Sequence, residues 1–156
     1  MGMAAKLESY LTRMGLEYEL LEHPYSNTSM MTAQQAHIHG DQLAKGVVLE
    51  DEEGYLLAVI PSTHRLQLGV LHNMTHRRLG LATERELGSL FEDCELGAVP
   101  AAGDAYGIRM IVDDSLSQQP DVYFEAGNHT DLVHMRKQEF RSLMANVEHG
   151  QFSRHT

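Results

Sequence analysis

The chain is predicted to fold as α+β, with a mixed, mainly antiparallel curved sheet surrounded by helices. Three observations carry that expectation. Helical and strand-like periodicities alternate along 156 residues without repeats or linkers. Two apolar runs, 46–50 and 55–60, flank Asp51-Glu52-Glu53-Gly54, the clearest hairpin in the sequence. The other connections are short and irregular, which suits neither a helical bundle nor a doubly wound parallel sheet.

The elements follow in order. Leu7, Leu11 and Met14 recur at helical spacing, and Gly15 stands where a C-cap should end that helix. Residues 17–21 form a short strand closed by His23-Pro24. Ser26, Asn27, Thr28 and Ser29 offer capping oxygens to a helix through Ala33, Ala36 and Ile38 that ends near Gly40. After the hairpin, Pro61 breaks the second strand, Leu66, Val70 and Leu71 mark a helix, and 79–81 a short strand. Thr83-x-x-Glu86 is a capping box opening a helix through Leu87 and Phe91. Strands are expected over 109–112, 122–125 and 132–135, and a last helix over 138–144. Residues 1–145 thus make one domain, and the tail 146–156 has little to bury and is expected to fray.

Composition bounds the function. No apolar run approaches the roughly 20 residues of a membrane span, and 1–6 have no continuous apolar segment of a secretory signal. The single cysteine cannot form an internal disulfide, and cytoplasm follows as the expected compartment. Cys94 lies between Asp93 and Glu95, whose charges disfavour the thiolate a nucleophile needs. A net charge of −10 argues against broad coating of nucleic acid, so DNA is not an expected partner; the oligomeric state is left open, with a monomer favoured. His72, His76, Arg77 and Arg78 form one local basic stretch, equally suited to touching an RNA backbone and to ending a helix with cations.

Lys45 is one of three lysines and stands at the head of a core strand. Desolvating an ammonium costs several kcal/mol unless partners or a ligand compensate it. An anion-binding role and a head group snorkelling into water are the two readings. Residues 96–103 combine glycine and proline in a loop that can hold peptide N–H groups in one direction, suitable for a developing negative charge; an ordinary tight connection is the alternative. Asn128-His129 follows Ala126-Gly127 at a strand end, where a histidine can exchange hydrogen bonds with a substrate near neutral pH.

His23-Pro24 with Thr32-Ala33 and Ala44-Lys45, then Gly97-Ala98-Val99-Pro100, then Tyr123-Phe124-Glu125-Ala126-Gly127-Asn128-His129 together resemble the YbaK family of aminoacyl-tRNA deacylases, relatives of the editing domain of bacterial prolyl-tRNA synthetases. Order and spacing carry the resemblance, which spans residues 7–143. It implies a hydrolase that removes a small amino acid from the acceptor end of a mischarged tRNA, proline tRNA among the candidates, without metal or cofactor. It also implies roles. Lys45 would hold the phosphate or ribose of the terminal nucleotide, and Gly97 would direct water or carbonyl through backbone N–H groups. His129 would hold the amino acid or ribose. Met31 would limit pocket size, and Thr32, Ala98, Pro100, Gly127 and Asn128 would contact substrate.

Many relatives carry a second proline where this chain has Ala101. A non-catalytic module of the same fold, binding a tRNA end or a nucleotide, therefore stands as the alternative, and a hydrolase of small esters as a third. Zinc is not expected: His72 and His76 lack the glutamate of a metalloprotease helix, and His37 and His39 lack a third ligand.

Overall fold

The computed structural model describes residues 2–156. Helix α1 (Ala5–Arg13) forms where Leu7 and Leu11 share a face, and it ends as Gly15 adopts φ +67°, a left-handed conformation that glycine enters without steric cost. Strand β1 (Glu19–Glu22) leads to α2 (Ser29–Gln35), whose N-cap Thr28 accepts a hydrogen bond from the Met31 N–H. This helix stops short of Ile38 because His37 turns to φ +58°. Ala36 and Ile38 pack instead against Ala33, Leu43 and Leu132.

Strands β2 (Leu43–Asp51) and β3 (Gly54–Pro61) make the expected hairpin. Pairing continues to Asp51↔Gly54, so the turn is Glu52-Glu53, two residues rather than four. The order continues with β4 (His64–Leu66), α3 (Leu68–Thr75), β5 (Gly80–Leu81) and α4 (Glu84–Leu90). Leu66 belongs to β4 rather than to the helix expected there. The capping box at Thr83 and Glu86 is formed in both directions. Strands β6 (Arg109–Asp113), β7 (Asp121–Glu125) and β8 (Asp131–Arg136), helix α5 (Lys137–Leu143), β9 (Glu148–Gly150) and β10 (Ser153–His155) complete the chain.

The main sheet runs β1-β8-β7-β2-β3-β6-β9, with β5 also paired to β2. β1–β8, β8–β7, β2–β3 and β2–β5 are antiparallel; β7–β2, β3–β6 and β6–β9 are parallel. The architecture is therefore the predicted mixed, mainly antiparallel α+β arrangement. Central β3 is covered on both faces, which is why its sequence is a continuous apolar run rather than an alternation. Leu57 and Val59 join the cluster under α1 and α5, whereas Leu56, Ala58 and Ile60 join Leu71 of α3 on the other face.

The expectation that 146–156 frays is corrected. β9 extends the main sheet beside β6, and β10 pairs antiparallel with β4. Phe152, between them, is wholly buried among Leu56, Ile60, Leu71 and Ile111. The Asp113 carboxylate pins the turn by accepting from the Phe152 N–H and the Ser153 hydroxyl. One aromatic ring thus anchors a mostly polar segment of eleven residues that includes it. Phe152→Ala is expected to destabilise the protein by roughly 3–5 kcal/mol in urea unfolding, the cost of an unfilled aromatic cavity. A change below about 1 kcal/mol would show that the tail is dispensable.

Arg77 is also spoken for. Its guanidinium grips Asp51 at 2.6 and 2.8 Å and the Gly54 carbonyl at 3.2 Å, closing the hairpin turn. This pairing holds the Asp51 carboxyl down at about 2. His72 contacts the Leu79 carbonyl at 3.0 Å. Two members of the basic stretch thus serve the fold, leaving less of it to meet an RNA backbone.

Candidate active site

On the edge of β2 away from β3, β7 pairs only at Leu43 and Ala44, and β5 only at Leu49 and Glu50. Among the described residues, 45–48 therefore have no strand partner on that edge, although the Ala82 N–H donates to the Val48 carbonyl at 3.0 Å. The gap is a cavity of ≈ 160 Å³ lined by Ala44, Lys45, Gly46 and Val48 of β2, Thr28 and Thr32 of α2 and its cap, Leu87 of α4, Gly97 and Val99 of a loop, and Glu125 and His129 around the end of β7. Gly46 is needed there for packing: a Cβ would stand 2.8 Å from Leu57 Cδ1.

Lys45 is the third residue of β2, opposite Ile60, rather than its first. It is half-buried, and no carboxylate lies within 4.0 Å of its ammonium among the described residues. Gly97 has φ +84°. The position its Cβ would occupy lies 3.5 Å from His129 Cε1, so any longer side chain points at the imidazole. His129 is buried and itself left-handed, φ +59°, a conformation uncommon for a residue with a side chain and one that the surroundings must hold. What holds it is a 2.6 Å hydrogen bond from Nε2 to the Leu96 carbonyl, with Tyr25 edge-on against the ring. The carbonyl only accepts, so Nε2 carries the hydrogen. His129 and the Gly97 loop are thereby locked together.

Of the residues singled out from sequence, the fold brings Lys45, Gly97, His129 and Thr32 to one cavity. Met31, Ala98, Pro100, Gly127 and Asn128 are not among its lining. Met31 is half-exposed on α2. The Ala98 N–H is taken by the Glu95 carbonyl at 3.0 Å, which removes it from the loop's donors. The Asn128 side chain accepts from the Thr130 and Asp131 N–H groups and donates to Asp131, shaping the turn that presents His129. Gly127 has φ +102° and abuts Ala4 and Cys94. Cys94 lies outside the cavity, and burial pushes its thiol up to about 12. Among the described residues no group of three or more His, Cys, Asp and Glu side chains is arranged to hold a metal ion.

Glu125 escaped the sequence reading. Following buried Phe124 in an alternating strand, it reads as a solvent-facing residue. Its place four before His129, at the strand end that opens the cavity, was the available signal. Burial, with a smaller contribution from Glu95, pushes its carboxyl up to about 8, and neither oxygen has a hydrogen-bond partner.

The unfolded carboxyl ionises near its ordinary 4.5, the folded one only near 8, so stability should fall as pH rises through this interval and level off above it. Glu125→Gln removes the ionisation. Relative to wild type it should be neutral near pH 4 and more stable by a few kcal/mol, roughly 3, at pH 8 to 9. Parallel pH–stability curves for the two proteins would contradict the buried, unpaired state.

A family profile described as the aminoacyl-tRNA editing domain matches residues 23–143. No curated protein sequence matches. Among solved structures, hypothetical protein APE2540 superposes with TM-score 0.84 at 22% identity, covering 96% of this chain and 99% of its own. A proposed trans-editing enzyme for prolyl-tRNA synthetase also gives 0.84 at 22% identity, covering 97% and 96%. A proposed signal transduction protein of Marinobacter aquaeolei VT8 gives 0.79 at 20% identity, covering 95% of this chain and 30% of that one. At these identities the structural likenesses speak for the fold.

Proposed function

The chain belongs to the aminoacyl-tRNA editing domain family, and on that premise we propose that it hydrolyses the ester of a small amino acid wrongly attached to the acceptor end of a tRNA. The carrying observation is the convergence of Lys45, Gly97 and His129 on one cavity. Its ≈ 160 Å³ is close to the roughly 150 Å³ of a cavity that accommodates benzene, which suits a small acyl group with the nucleotide remaining outside.

An aminoacyl ester is already activated, so the protein need only position it, direct a water and stabilise the oxyanion, with no covalent intermediate. Lys45 supplies the positive charge, binding the phosphate or ribose of the terminal nucleotide and orienting the ester. Gly97, whose N–H has no protein partner among the described residues, is the backbone donor for carbonyl or water. His129 is a positioning residue: its Nε2 holds the Leu96 carbonyl and hence the Gly97 loop, while Nδ1 is left as an acceptor facing the substrate.

The experiment is single-turnover release of labelled amino acid from tRNA carrying alanine, serine or cysteine, with spontaneous hydrolysis subtracted. At least one of the three should be released well above background. Background rates for all three would refute the proposal.

A further inference from the structure

Ester positioning leaves Glu125 unexplained. Its side chain is largely buried at the end of β7, lines the cavity, and neither oxygen meets a donor. Such a carboxyl is costly to fold unless something outside the chain completes it. Lys45 does not, since among the described residues no lysine or arginine nitrogen lies within 4.0 Å of Glu125.

Among the described residues the one basic side chain within 4.0 Å of the Glu125 carboxylate is His129, with Nδ1 3.7 Å from Oε2, too long for a hydrogen bond. Because Nε2 carries the ring hydrogen toward Leu96, the neutral imidazole offers a lone pair at Nδ1. Once the Glu125 carboxyl gives up its proton, two acceptors lie side by side at the cavity with no donor for either among the described residues. Their chemical complement is a small cation with several N–H groups.

From this placement we infer that Glu125 and Nδ1 of His129 form the subsite for the α-ammonium of the acyl group, so that the site selects esters of α-amino acids over esters of other small acids. The ester part of this inference rests on the deacylase reading; the ammonium part does not. Charge also sets the orientation. The ammonium turns toward Glu125 and away from the Lys45 cation, which leaves the carbonyl and ribose on the Lys45 side. The proton that burial keeps on the Glu125 carboxyl leaves to solvent as the ammonium arrives, forming a carboxylate–ammonium pair.

Alanyl-tRNA and lactyl-tRNA differ by an ammonium replaced with a hydroxyl, and their hydrolysis can be compared after each rate is normalised to its spontaneous rate. Wild type should prefer the alanyl ester by roughly 10- to 100-fold, the worth of a charged hydrogen-bonded pair. Glu125→Gln should bring the preference close to unity. Equal normalised rates above the spontaneous rate in wild type, or an undiminished preference in Glu125→Gln, would overturn the inference. A binding arm needs no turnover: L-alaninamide, titrated into wild type and followed by NMR, should shift cavity resonances at concentrations where L-lactamide does not, and Glu125→Gln should abolish that difference. No response to alaninamide, or an equal response to both amides, would also overturn it. If neither ester is cleaved while the amides behave as stated, the deacylase reading fails and the ammonium subsite stands.

Discussion

Lys45→Ala should lower kcat/KM for aminoacyl-tRNA deacylation by roughly 30- to 1,000-fold, corresponding to about 2–4 kcal/mol of lost transition-state stabilisation. The size of the effect follows from isolation. Lys45 is the cavity's lysine, Glu125 its carboxyl, and no protein carboxylate neutralises the ammonium among the described residues. Its charge is therefore available to substrate in full, in a site where partial exclusion of water strengthens it. The same isolation predicts little damage to the fold, because truncation orphans no partner and alanine keeps the β2–β3 register at Ile60. Melting temperature should move by no more than a few degrees. A folded Lys45→Ala protein with wild-type kcat/KM would remove the lysine from the mechanism.

Gly97→Val should cost at least tenfold in turnover, on the order of 1.4 kcal/mol in barrier. Two physical effects act together. At φ +84° a β-branched residue is strained by roughly 1–2 kcal/mol, so the loop shifts or the protein loses stability. The new side chain also grows toward the His129 ring, whose Cε1 is 3.5 Å from the Cβ position. That contact disturbs the bond from His129 to the Leu96 carbonyl, one residue from the proposed oxyanion donor. Val99→Ile, which extends an apolar side chain in the same loop, should affect turnover far less. Melting curves separate unfolding from lost chemistry. Equal activity of folded Gly97→Val and wild type would reduce the loop to a connection.

The parts of the fold legible in the sequence were those set by local rules. Gly15 ended α1 through its left-handed φ, Thr83 and Glu86 capped α4 reciprocally, and the hairpin declared itself through two apolar runs and a glycine. What local rules could not supply was tertiary. Phe152 lies in a polar stretch, and its burial depends on β9 and β10 finding β6 and β4, partners more than thirty residues away. Arg77 looked available because its partner Asp51 is 26 residues upstream.

The site divided the same way. Lys45, Gly97 and His129, which the resemblance singles out beside their charge, glycine and strand-rim position, line one cavity. Glu125 was not legible, since a glutamate alternating with buried residues is ordinary and only the missing neighbour of β2 turns it inward to a cavity. Asn128 was misleading for a related reason: a polar residue beside a rim histidine suggests substrate contact, but its side chain builds the turn.

We propose that this cavity hydrolyses esters of small amino acids on tRNA. What decides it is the rate at which saturating protein releases amino acid from a single tRNA species charged with alanine, serine or cysteine or, in parallel, with phenylalanine. At least one of alanine, serine and cysteine should be released well above spontaneous hydrolysis, and phenylalanine near background. Tight binding of the charged tRNAs with no amino acid released would contradict it, and would identify the domain as a tRNA-end binding module.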